Sequence, residues 1–141
     1  MELLPLRLRP GDDLRRALEA TALPAGASGA FVASGMGSLV GLKLRLAGAS
    51  LTTSFDGDFE LLTLAGSLTP GGSHLHVSAA DAQGAVFGGH LVNGNIVRTT
   101  AEILLVPVFA WQMSREMDPA TGFPELKLSR KDDEAPPISA A

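Results

Sequence analysis

The chain contains no cysteine, which excludes disulfide cross-links and thiolate metal sites and leaves the redox compartment unmarked. Charge is scarce as well. Charged residues make up 18% of the 141 positions, against about 25% in an ordinary soluble domain. Positive charge in particular is dispersed, with eleven lysines and arginines scattered from Arg7 to Lys131 and a net charge of −4. Proteins that grip nucleic acid gather positive charge on one face to neutralise phosphates, so direct DNA binding is not expected, although a partner protein could bridge the chain to DNA. No apolar run approaches the roughly 20 residues that cross a bilayer, and no internal repeat is evident. The segment Met1 to Arg7 is acidic and broken by Pro5, unlike a secretory signal, so a cytoplasmic location is expected.

Apolar residues are abundant instead, with a mean hydropathy of +0.22. A chain of this size forms one domain that removes about two thirds of its unfolded surface from water. With so few charges to cover the outside, apolar surface is left over for a second copy, and oligomerisation is expected on composition alone.

The patterning predicts an α+β fold, a mostly antiparallel central β-sheet with one main helix packed on it. Glu2 to Arg9 reads as a strand, and Asp12 or Asp13 caps a helix whose buried stripe is Leu14, Ala17, Leu18 and Thr21, ending near Leu23-Pro24. Ala30 to Ser34 reads as a short strand, Gly35-Met36-Gly37 as a tight turn, and Leu39 to Leu46 as a strand with Lys43 and Arg45 on a wet face. Arg15, Arg16, Lys43 and Arg45 are expected at solvated positions. Phe59 to Leu68 and Ile96 to Val106 are nearly continuous apolar runs, which predicts central strands covered on both faces. Each run holds one glutamate, Glu60 and Glu102. A buried carboxylate needs a partner, for which Arg98 or Arg45 is available.

Pro107 predicts that its strand leaves the sheet or lies at an edge there. Phe109, Trp111 and Phe123 are expected in the core or a subunit interface, Asp118 to Gly122 in a turn, and Glu125 to Leu128 in a short last strand. Residues 1–130 are expected to form the single domain and 131–141 a disordered tail. Ser34 to Ser38 resembles a phosphate loop only superficially, because a strand and not a helix follows it. No Gly-x-Ser-x-Gly elbow accompanies Ser73 or Ser78.

All three histidines of the chain fall between residues 74 and 90, in Ser73-His74-Leu75-His76-Val77 and Gly88-Gly89-His90-Leu91. Asp81-Ala82-Gln83-Gly84 between them fits a type I turn followed by a left-handed glycine, the three-residue hairpin loop with a bulge. That turn pairs Asp81 with Ala85, sets His76 opposite His90 and His74 opposite Val92, and sends Leu75, Val77, Ala79, Phe87 and Leu91 to the other face. A register shifted by one would mix the histidines with Phe87 and Leu91. Facing residues have Cβ atoms about 4.5–5.5 Å apart, so the three imidazoles can converge on one ion with a position left open for water or a ligand, the alternative being ordinary hydrogen bonds on a polar sheet face or packing at a subunit contact. The candidate metal ligands are therefore His74, His76 and His90, and zinc is the default ion for neutral imidazoles, with nickel, copper or iron as alternatives. Gly88 and Gly89 would let another backbone approach. Glu102 is the candidate for orienting a ligating histidine from behind.

The order of these blocks is similar to that of the plants-and-prokaryotes conserved domain, whose plant members carry it beside DNA-binding AT-hooks. The resemblance rests on Arg9-Pro10-Gly11-Asp12-Asp13-Leu14, Ser34-Gly35-Met36-Gly37-Ser38, Phe55-Asp56-Gly57-Asp58-Phe59-Glu60-Leu61-Leu62-Thr63-Leu64-Ala65-Gly66, His74-Leu75-His76, Gly88-Gly89-His90-Leu91 and Val97-Arg98-Thr99-Thr100-Ala101-Glu102-Ile103. It covers the chain to about Arg130. It implies an α+β domain that assembles as a homotrimer, with the histidine cluster as a metal site in prokaryotic members, and no known reaction. No Arg-Gly-Arg-Pro-like AT-hook occurs in this sequence.

Three function classes follow. The favoured one is a metal-binding oligomer with a ligand-binding or regulatory role, to which a small ligand or a partner protein binds. The second is a DNA-associated transcriptional regulator without its own AT-hook. The third is a metal-dependent hydrolase or lyase, in which metal-bound water attacks and Glu102 or Glu60 handles protons. No clear base is evident, so the reading leans away from an enzyme.

Overall fold

A computed structural model describes residues 2–133. Its elements are β1 (Leu4–Leu8), α1 (Leu14–Glu19), β2 (Gly29–Arg45), β3 (Thr52–Thr69), β4 (Gly72–Ala80), β5 (Val86–Leu91), β6 (Ile96–Val108), β7 (Trp111–Asp118) and β8 (Phe123–Arg130). The mostly antiparallel sheet expected from the sequence is present, with a helix of only six residues. No helix among the described residues is long and apolar enough to cross a membrane.

Six strands form one antiparallel sheet in the order β1-β6-β2-β3-β4-β5. The sheet also turns back on itself, because Leu44 and Arg45 at the end of β2 pair with Leu91 and His90 of β5. This closure is made possible by the length of β2 and by its bulges, one of them at Gly41, whose φ of +71° is costly for any residue with a Cβ. Inside the curl lie Leu39, Leu42, Leu44, Leu61, Leu64, Leu75, Val77 and Leu91, all buried. Each such side chain contributes about 1.5–3 kcal/mol on leaving water.

Helix α1 starts where Asp13 accepts a hydrogen bond from the Arg16 amide at 3.2 Å and, with its other carboxylate oxygen, from the Gly94 amide at 2.6 Å. The cap thus ties the helix to the β5–β6 loop, and Leu14 and Leu18, one turn apart, are buried against the sheet. The helix stops at Glu19, short of the predicted Leu23-Pro24. Thr21 ends it, donating its amide to Leu18 O in a tighter turn and its hydroxyl to Ala17 O.

Strands β7 and β8 form a separate hairpin, its Asp118–Gly122 turn closed by the Gly122 amide on Asp118 O at 2.7 Å. Among the contacts that fix it to the main sheet are fully buried Met113, the Met113 amide donating to Ser28 Oγ at 3.2 Å, Ser28 Oγ donating in turn to Trp111 O, and Arg115 Nη2 donating to Ser67 Oγ at 2.8 Å.

Several expectations need correction. Gly35-Met36-Gly37 is not a turn but part of one strand running from Gly29 to Arg45. Its glycines serve close packing: a Cβ on Gly35 would come within 2.8 Å of Leu64 Cβ, and one on Gly37 within 2.7 Å of Ala101 Cα. The runs in β3 and β6 are covered on one face only within this chain, so Glu60 and Glu102 are exposed and need no buried partner. Arg98 pairs instead with Asp58, at 3.0 Å. Of the two places expected for Phe109, Trp111 and Phe123, the core of this chain is excluded, since all three are exposed, which leaves the subunit interface. Pro107 behaves as predicted, sitting beyond the last β1 partner, Leu105, where β6 has a free side. Of the predicted tail, Lys131 to Asp133 form a 3-10 turn, and 134–141 lie outside the described residues.

Candidate metal centre

The β4–β5 hairpin closes as its turn chemistry dictates. Asp81 and Ala85 pair through the Asp81 amide on Ala85 O at 2.9 Å, the Gly84 amide returns to Asp81 O at 3.0 Å, and Gly84 takes a φ of +81°. The Asp81 carboxylate accepts from the Gln83 and Ala85 amides, both at 2.9 Å. The resulting register sets His76 opposite His90, while Leu75, Val77, Ala79 and Leu91 are buried on the opposite face. His74 does not pair with Val92. β5 ends at Leu91, which has crossed to Leu44 of β2.

The three imidazoles nevertheless meet. Each offers a ring nitrogen within 4.8 Å of the other two, and Nε2 of His74 lies 3.1 Å from Nε2 of His76. Ring centroids are separated by 4.9 Å for His74–His76, 5.0 Å for His74–His90 and 5.4 Å for His76–His90. Ligands held at 2.0–2.1 Å in a tetrahedron stand roughly 3.4 Å apart, so small side-chain rotations would bring this cluster to the spacing of three corners of a coordination sphere. The glycine beside His90 matters here. A Cβ on Gly89 would come within 3.0 Å of Arg45 O, so its absence lets β2 approach the hairpin.

The protonation states favour ligation. Burial, reinforced by the charge of Arg45 and the proximity of the other two imidazoles, pushes His90 down to about 4. Burial, then His76 and Arg115, lowers His74 as well, against a weaker opposing pull from Glu125. Both rings are thus held in the neutral form that a metal requires.

Residues 1–108 match the profile of the Plants and Prokaryotes Conserved (PCC) domain. The chain belongs to this family. A curated relative of this PCC domain, the bifunctional protein GlmU of Synechococcus sp. (strain JA-3-3Ab), is 43% identical over 137 residues, which are 97% of this chain and 22% of the relative. The chain therefore spans about a fifth of the length of the curated relatives it matches. A solved hypothetical protein from Salmonella cholerae-suis has 36% identity and a TM-score of 0.86, covering 92% of this chain and 94% of that one. A metal-containing protein from Archaeoglobus fulgidus, 24% identical, shares the fold with a TM-score of 0.75 over 90% of this chain and 94% of its own.

In this PCC domain the predicted carboxylate helpers are misplaced. Glu102 lies on β6, three places from β4 in the sheet order, opposite Arg7 and Met36. Glu60 pairs with Ala80 at the far end of β4 and is exposed. What stands beside the cluster is a set of charges read from sequence as solvated or not singled out. Arg45 is the cross-strand partner of His90 and half-buried. Arg15, also half-buried, donates to Glu19 at 2.9 Å and to Leu91 O at 3.2 Å. Arg115 and Glu125 arrive from the β7–β8 hairpin. Glu19 in turn accepts from Ser73, the neighbour of His74, at 2.5 Å. Burial raises its pKa, yet the bonds from Ser73 and Arg15 outweigh that and leave it below the ordinary value.

Proposed function

We propose that this PCC domain is a non-catalytic metal-binding module that holds one divalent transition ion on His74, His76 and His90 and offers the open coordination position to a small ligand. The observation that carries this reading is the convergence of three imidazole ring nitrogens within 4.8 Å of one another on one hairpin. Zinc is the preferred ion on ligand chemistry. That the similar Archaeoglobus fulgidus protein is metal-containing supports the reading. The carboxylates expected to handle protons in a hydrolase or lyase, Glu60 and Glu102, stand elsewhere on the sheet, and the carboxylate that does share the cleft, Glu125, is engaged by the Thr121 hydroxyl. A DNA-binding role is disfavoured by the net charge of −4, and the arginines that do gather, Arg15, Arg45 and Arg115, line a small cleft rather than an extended face.

We further propose that the domain works as a homotrimer, with the copies meeting through the wet face of the sheet. Phe31, Met36, Val40 and Leu62 are 41%, 57%, 54% and 47% exposed there, and the family resemblance supplies the number three. Light scattering on the purified chain tests it, and a monomeric mass overturns it.

The deciding experiment for the metal is elemental analysis of untagged protein purified without chelator, beside a His74→Ala/His76→Ala/His90→Ala variant. Near-stoichiometric transition metal in the wild type, absent from the variant, is the expected result. A wild type that carries none and cannot be loaded overturns the reading.

A further inference from the structure

A cleft of about 340 Å³ opens beside the histidine cluster, within the range of small-ligand sites. Arg15, Arg45, Arg115, Glu125, His74 and His90 all line it. Three guanidinium groups are an unusual concentration in a chain with a net charge of −4. Their local bonding separates their roles. Arg15 is committed to Glu19, at 2.9 Å. Among the described residues Arg115 bonds only the neutral Ser67 hydroxyl, at 2.8 Å, and Arg45 has no carboxylate within 4 Å. Glu125, the one carboxylate on the cleft wall, accepts a hydrogen bond from Thr121 Oγ1 at 3.0 Å.

The charge balance follows directly. Arg15 and Glu19 cancel, Glu125 offsets one of the two remaining arginines, and one positive charge is left before any ion is counted. A divalent ion on neutral imidazoles adds two more. A half-buried guanidinium without a counter-charge is costly to desolvate, and its planar fork matches the oxygens of carboxylate or phosphate.

We infer that this cleft is a binding site for a small dianion, a phosphate or a dicarboxylate, gripped by Arg45 and Arg115 with one oxygen directed to the histidine-held ion. The inference rests on the proposed metal site only for that last contact, since both arginines belong to the cleft regardless. Close packing holds the arginine wall in place: a Cβ on Gly71 would meet Arg115 Cβ at 3.2 Å, so the glycine lets the β7–β8 hairpin lie against the β3–β4 turn.

Calorimetric titration of the full chain with inorganic phosphate and with malonate, metal-loaded and chelator-stripped, tests this alongside elemental analysis. Saturable binding of one anion per chain by the loaded wild type is expected. Arg45→Gln and Arg115→Gln should each weaken it at least tenfold at unchanged metal content, while exposed Arg16→Gln should not. Tighter phosphate than malonate assigns a phosphate ligand, and the reverse order a dicarboxylate. Arginine-dependent binding by a wild type that takes up no metal supports the anion site and sinks only the metal reading. No binding of either probe by the loaded wild type, or binding unchanged in folded Arg45→Gln and Arg115→Gln, overturns the inference. Because Arg115 also anchors a hairpin, Arg45→Gln is the decisive variant if Arg115→Gln loses its circular dichroism signal.

Discussion

Asn95 holds Lys43 by both of its backbone groups. Its Oδ1 accepts from the Lys43 amide at 2.9 Å, its Nδ2 donates to Lys43 O at 2.9 Å and to Val92 O at 2.8 Å, and the residue is fully buried. This side chain substitutes for the strand that would otherwise flank β2 at the place where β5 ends and β6 has yet to begin. Asn95→Ala leaves three part-buried backbone groups, the Lys43 amide and the Lys43 and Val92 carbonyls, without their partner, at about 1 kcal/mol each, the lower end for an unsatisfied group. Denaturant unfolding should show a loss of about 3 kcal/mol. Asn95→Asp should also destabilise, because a carboxylate cannot donate to Lys43 O and Val92 O. A loss below about 1 kcal/mol for the alanine variant would contradict this role.

His76→Ala should remove metal while sparing the fold, because its strand neighbours Leu75 and Val77 bury themselves on the opposite face. Elemental analysis should find less than a tenth of wild-type occupancy with an unchanged circular dichroism spectrum. Full occupancy in the variant would exclude His76 as a ligand.

The pH response of the metal-free protein follows from His90, pushed down to about 4 by burial and then by Arg45. The ordinary value is about 6.5. Between these values the unfolded chain binds the proton and the folded chain does not. The stability contributed by neutral His90 is therefore complete above pH 6.5 and is lost as pH falls toward 4. An NMR titration of the histidine rings should place the His90 midpoint near 4, and a midpoint at or above 6.5 would refute the environment described.

Gly37 has a φ of +154°, at the limit of the region that disfavours side chains, and a Cβ there would press on the Ala101 backbone at 2.7 Å. Gly37→Ala should cost more than 1 kcal/mol in thermal or chemical unfolding, whereas Gly48→Ala, with open space around it, should cost only its backbone strain. Equal losses at the two positions would mean that contact with β6 is not what selects glycine at 37.

Much of the hairpin was legible in the sequence because its cause is local. Asp81 and Gly84 define the loop, the loop defines the register, and the register puts His76 opposite His90. Gly35 and Gly37 misled for a converse reason. Glycine marks both turns and tight strand packing, and only the approach of β6 and of Leu64, far away in sequence, decides between them. Alternation placed Arg45 on a polar face correctly but carried no information about what shares that face. Its neighbour His90 is 45 positions away, and Arg115 joins them through a hairpin whose docking on Ser67 has no sequence signature. Glu102 was favoured for its chemistry, and strand order removed it from the site.

The three-residue loop of the β4–β5 hairpin also separates two events in time. Local hairpins close in roughly 1–10 μs, whereas pairings between distant segments carry a larger loop-closure entropy and form later. The imidazoles belong to the first kind of contact. Arg45 and Arg115 belong to the second, because β2 must reach β5 and β7 must dock before either is in place. On contact separation alone, the nitrogen cluster is expected to form before its cationic wall, and an ion present at that stage would meet three histidines in a shallow, open setting before the cleft has been assembled around them.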